Sequence, residues 1–165
     1  MNDYKFPRQP FKHQEERFYL YRDKAAHAHL WEQRCGKSGI AIATAAWQYG
    51  KGQITGLLIV APNGVHLNWG KNEIPADMPM HVGCEPVTWA SAPNKEQRRA
   101  LEGLCNGSTK QGLRCLIMNI EALRTERGRD FALQFMRNFR TNFTLDEGSI
   151  IKHVDSLQTQ MTIGW

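Results

Sequence analysis

The chain has 165 residues, 41% of them hydrophobic, which is enough for one ordinary core, so a single domain spanning 1–165 is expected. Lys and Arg number 21 against 16 Asp and Glu, giving a formal charge of +5 that suits a polyanionic partner without establishing one. The cysteines at 35, 84, 105 and 115 form no Cys-x-x-Cys pair, the N-terminus is polar rather than a secretory leader, and no apolar run approaches the ~18 residues of a membrane span. A disulfide scaffold and a membrane protein are thereby set aside, a reduced cytoplasmic compartment is expected, and the six scattered histidines lack metal-ligand spacing.

Residues 1–10 carry Pro7 and Pro10 and read as an extended arm. A helix is expected over 11–24, with Phe11, Phe18 and Tyr21 as its apolar side and Gln14, Glu15 and Glu16 near its start. Residues 25–30 are expected to form a strand running into the loop that follows, with His27 and His29 on one of its faces. Ile40, Ala41, Ala43, Thr44, Ala45 and Trp47 suit a helix from 37 to 49 lying close on a sheet, ended by Gly50-Lys51-Gly52. The continuous apolar run 57–61, stopped by Pro62-Asn63-Gly64, is the pattern of a strand buried on both faces, hence of a parallel sheet covered by helices.

A helix over 65–73 should stop at Pro75, and 85–89 reads as a further strand. A polar helix over 95–105 ends at Asn106-Gly107-Ser108, and 113–118 is another buried strand. An amphipathic helix over 128–140 precedes a strand at 143–145 that delivers Asp146-Glu147. Strands and helices alternate along nearly the whole chain, which argues for a three-layer α/β domain with a mainly parallel sheet and right-handed crossovers. In such sheets ligands lie outside the carboxyl ends of the strands, where both the loop at 31–38 and Asp146-Glu147 would fall.

The chemistry concentrates at Gly36-Lys37-Ser38. A glycine, lysine and hydroxyl opening a helix after a strand can cradle a polyphosphate with backbone N–H groups, reach it with the lysine and offer the hydroxyl to Mg²⁺. The match to G-x-x-x-x-G-K-[ST] is imperfect, because Trp31 stands where the first glycine belongs. Downstream, Asp146 is suited to hold Mg²⁺ and Glu147 to act as base toward an attacking water; taken alone, such a pair is more often a turn cap. The basic groups at Lys95, Arg98 and Arg99 and at Arg124, Arg127 and Arg129 read as solvated faces.

Taken in order, Phe11-Lys12-His13-Gln14, residues 31–38, residues 57–63 with Trp69, Met118-Asn119-Ile120-Glu121-Ala122-Leu123 and Asp146-Glu147-Gly148-Ser149-Ile150-Ile151-Lys152 resemble the motifs of the first RecA-like lobe of superfamily 2 helicases. The nearest branch is the Swi/Snf-like translocases, in the small versions that phages carry, and the likeness covers 11 to about 153. It implies a P-loop NTPase fold, ATP and Mg²⁺ as cofactors, DNA as partner and the host cytoplasm as location. It implies a nucleotide site of Gln14, Arg34, Cys35, Gly36, Lys37 and Ser38, with Gln14 reading adenine. Lys37 and Glu147 would be catalytic, Ser38 and Asp146 would serve the metal, and Asn63 and Asn119 would face nucleic acid, although both also suit an ordinary turn or helix cap.

Arg34 departs from the branch, where a glycine is common, and Cys35 reads as a small neutral filler of the loop. The family's second lobe, source of its arginine finger, is not expected within these 165 residues, so hydrolysis by this chain alone is expected to be feeble. The expected function is therefore the ATP-binding lobe of a DNA helicase or translocase, able to work with a separate second lobe. The alternative is a non-hydrolytic, helicase-derived binding module that engages nucleic acid or a host protein.

Overall fold

In the computed structural model, residues 4–27, 35–106 and 112–146 are described. Four parallel strands form one sheet in the order β2-β3-β1-β4, where β1 is Gly56–Ala61, β2 Glu85–Thr88, β3 Arg114–Asn119 and β4 Thr141–Leu145. The central β1 is buried along its whole length, as its apolar run requires, and it pairs Leu58 with Leu116 on one side and with Phe143 on the other. Side chains alternate across the pleat. Leu57, Ile59, Ala61, Cys115 and Ile117 feed one core layer, and Leu58, Val60, Leu116 and Met118 the other.

Helices cover both layers. The first layer is closed by α2 (Lys37–Gly50) through Ile42, Ala45 and Ala46, and by a helical segment through Trp69 and Ile74. Small residues on α2 let it lie close to the strands. The second layer is closed by α5 (Lys95–Cys105) through Leu101 and Leu104 and by α6 (Glu126–Asn138) through Ala132 and Phe135. Both are capped: Asn94 and Gln97 exchange side-chain-to-backbone bonds at the start of α5, and Thr125 Oγ1 accepts from Gly128 N–H at the start of α6. The domain is thus α/β with an all-parallel sheet and helices on both faces.

Three expectations need correction. Residues 25–27 form no strand; His27 stacks on Tyr21 at 5.5 Å between ring centroids, and residues 28–30, including His29, lie outside the described set. The first helix, α1, is shorter than expected, Lys12–Tyr21. Its end is pinned from α2: Trp47 Nε1–H donates to Asp23 at 2.8 Å, Gln48 donates to the Arg22 carbonyl at 3.2 Å, and the Arg22 guanidinium lies 3.8 Å from the Trp47 ring centroid. The helix expected to stop before Pro75 instead continues as α3 (Val65–Asn68), a π-helical turn (Trp69–Glu73) and α4 (Ile74–Asp77). Changing hydrogen-bond register at Ile74 places Pro75 in a fresh first turn, where its missing N–H is tolerated. Shifts of one or two residues elsewhere (α6 at 126–138, β3 at 114–119, β4 from 141) are ordinary end effects.

The arm is docked rather than free. Tyr4 and Phe6 pack on the fully buried Phe18 at 4.7 and 5.0 Å, in a cluster shared with Ile40, Ala43 and Trp47. Arg8 makes a bidentate pair with Asp77, Nε to Oδ1 and Nη2 to Oδ2. That hydrogen bond raises the Arg8 pKa, and burial together with the Asp77 charge pushes the Tyr4 phenol upward. Among the described residues, no helix is long and apolar enough to cross a membrane.

Candidate nucleotide site

Two clusters carry the sequence-predicted residues. The first forms where α1 meets the start of α2. Gln14 is buried; its Oε1 accepts from Phe11 N–H at 2.8 Å, and its Nε2 donates to the Cys35 carbonyl at 3.0 Å. One amide thus caps its own helix and clasps a loop 21 positions later. Gly36 follows in the left-handed region at φ 71°, as N-cap of α2, and a Cβ there would collide with Gln14 Nε2. Lys37 and Ser38 open α2, half-buried, in its first turn, the end of a helix that attracts anions.

Beside this junction lies a cavity of about 280 Å³, near the lower end for small-molecule sites. Phe11, Gln14, Gly36 and Gly39 line one side, and Glu73 and Asp77 another. A Cβ at Gly39 would lie 3.4 Å from Asp77 Oδ2, in ordinary van der Waals contact, so α2 and Asp77 approach closely here. Phe11, exposed at 71%, stacks on His13 at the rim with 5.9 Å between centroids, a flat apolar surface open to a planar group. Sequence reasoning missed Arg8, Glu73 and Asp77 as lining residues; nothing in their local sequence marks them, because the arm and the helical segment 65–77 meet only in the fold.

The second cluster sits at the carboxyl edge of the sheet. Asp146 N–H donates to the Val60 carbonyl at 2.8 Å, carrying the ladder one residue past β4, and Asp146 Oδ2 accepts from Trp69 Nε1–H at 2.8 Å. Asn63 is exposed in the turn after β1. Asn119 ends β3 and donates to Glu121 Oε2 at 3.0 Å. All three candidates therefore share one edge, the consequence of an all-parallel sheet. Arg34 and Glu147 lie outside the described residues, as does Trp31.

One helical segment joins the clusters. Residues 65–77 present Trp69 to Asp146 and, a turn or two later, Glu73 and Asp77 to the cavity beside Gly36. Among the described residues, no group of three or more His, Cys, Asp or Glu side chains is gathered for a metal. Mg²⁺ needs no such cage, since one or two carboxylates plus the oxygens of a phosphate ligand suffice. Asp146, half-buried with one oxygen engaged by an indole, and the Ser38 hydroxyl are oxygen donors of the kind such a hard cation takes, Asp146 in the second cluster and Ser38 in the first. No protein-family model matches this chain, and no curated protein sequence matches it.

Proposed function

We propose that this chain is the ATP-binding lobe of a DNA helicase or translocase. The observation that carries the proposal is the clasp between Gln14 and the Cys35–Gly36 backbone. A glutamine expected to read a base and the glycine of a loop expected to hold phosphates meet at one cavity with an aromatic rim, and Lys37 and Ser38 follow that glycine at the start of α2. Base and triphosphate would then lie on adjacent surfaces, the base against Phe11 and Gln14, the phosphates toward the first turn of α2.

In this reading Lys37 neutralises the outer phosphates, and Ser38 and Asp146 hold Mg²⁺, which when bound spreads the charge that develops on the transferred phosphoryl group. Glu147 orients the attacking water. Asn63 and Asn119, on the same sheet edge as Asp146, face one strand of DNA, so that nucleotide state and DNA grip share that edge. The all-parallel sheet and the net charge of +5 are compatible with this arrangement.

Calorimetric titration with Mg²⁺ and ATPγS tests it. Wild type should bind, and Lys37→Ala should weaken binding about tenfold to a hundredfold, the equivalent of ~1.5–3 kcal/mol for hydrogen bonds to a charged group. Equal affinity in both proteins removes the phosphate-loop assignment.

A further inference from the structure

The Trp69 indole is held by chemistry that packing alone does not require. Its ring is 3% exposed within the core layer beneath α2, yet its N–H, a donor with no acceptor capacity, emerges at the sheet edge and reaches Asp146 Oδ2 at 2.8 Å. The backbone is arranged to permit this. Trp69 begins the π turn, Ile74 N–H returning to the Trp69 carbonyl, a hydrogen-bond pattern that recurs at functional sites. Next to it Gly70 lets the segment lie hard against the strands, for a Cβ there would sit 3.0 Å from Thr88 Oγ1. Asp146 itself is anchored through its N–H to Val60, so the carboxylate's remaining freedom is rotation of its side chain. The indole removes that rotation.

We infer that Trp69 is a positioning residue for Asp146: it binds one carboxylate oxygen and presents the other, Oδ1, to the cation that accompanies a nucleotide. The role rests on the nucleotide-binding reading above. Groups that orient a metal-binding carboxylate through a hydrogen bond typically change metal affinity tenfold to a hundredfold when removed. Phenylalanine retains most of the ring and loses the donor, so Trp69→Phe isolates this function from packing.

The experiment measures ATPγS affinity in Mg²⁺ and in excess EDTA for wild type and Trp69→Phe. The expected result is a loss of about tenfold to a hundredfold in the enhancement that Mg²⁺ gives, with EDTA affinity unchanged. An equal loss in both conditions, or no loss in either, overturns the inference. Failure of wild type to bind ATPγS would instead overturn the nucleotide reading on which it rests.

A second measurement bears on the link without nucleotide and without the Trp69 variant. In protein labelled with ¹⁵N-tryptophan, Asp146→Asn should move one indole N–H resonance upfield as a charge-assisted bond becomes a neutral one. The Trp47 resonance, bonded to Asp23 and assigned with Trp47→Phe, should stay in place. If no indole resonance moves, Trp69 does not hold Asp146 in solution and the inference falls.

Discussion

On one face of the sheet, α5 and α6 follow the rules of amphipathic helices: capped N-termini, apolar stripes through Leu101, Leu104, Ala132 and Phe135, and charge facing water. On the other face the same rules are broken repeatedly. Among the described residues, the buried polar or charged side chains are Gln14, Thr44, Gln48, His66 and Asp77, and all sit on α1, α2 or the 65–77 segment. That face also carries the left-handed Gly36, the π turn and the proline inside a continuing helix. Burying polar groups costs free energy unless they gain partners, so their gathering sets this face, which carries the candidate site, apart from the other.

Substitutions should therefore separate stability from binding according to face. The largest effect on folding is expected from Phe135→Ala, which empties the centre of the α6 face, where Phe135 is fully buried. Urea denaturation should register a loss of about 3–5 kcal/mol, while ATPγS affinity under conditions where the variant remains folded stays at the wild-type value. A matching loss of affinity would show that the two faces are not separable.

Gly36→Ala should do the reverse. The left-handed backbone costs an alanine only about 1–2 kcal/mol, but its Cβ must displace Gln14 from the Cys35 carbonyl, so nucleotide binding should fall by about tenfold or more, as expected for a lost buried contact and a distorted anion loop. Unchanged affinity alongside unchanged stability would mean that the clasp is incidental.

The smallest effect concerns pH. Burial lowers the His27 pKa below its ordinary 6.5 in the folded chain. As pH falls through that ordinary value, the unfolded chain takes up the proton first, so the contribution of His27 to stability is present above it and is lost on acidification. Thermal melts between pH 7.5 and pH 5.5 should show a shallower decline for His27→Gln than for wild type. Identical slopes would place His27 in water rather than against Tyr21.

How much of this was legible in sequence follows the same division. Strand β1 could be read because five consecutive apolar residues have one stable placement, and α5 because a polar helical stretch meets its stop at Asn106. The α1 end was misjudged because Arg22 and Asp23 answer to Trp47 and Gln48, more than twenty positions away, and the 65–77 helix because Pro75 stops a helix only when the hydrogen-bond register is unbroken. At the candidate site, Gln14, Gly36 and Asp146 could be singled out from the sequence. Their contacts could not. Arg8 meets Asp77 across 69 positions and Trp69 meets Asp146 across 77, contacts that only the packing of the arm and the 65–77 segment creates.

Backbone hydrogen exchange with and without Mg²⁺ and ATPγS tests the division of the two faces most directly. The account predicts slowed exchange in α1, the first turns of α2 and residues 65–77, with α5 and α6 unchanged. Protection spread evenly over both faces, or confined to α5 and α6, would contradict it.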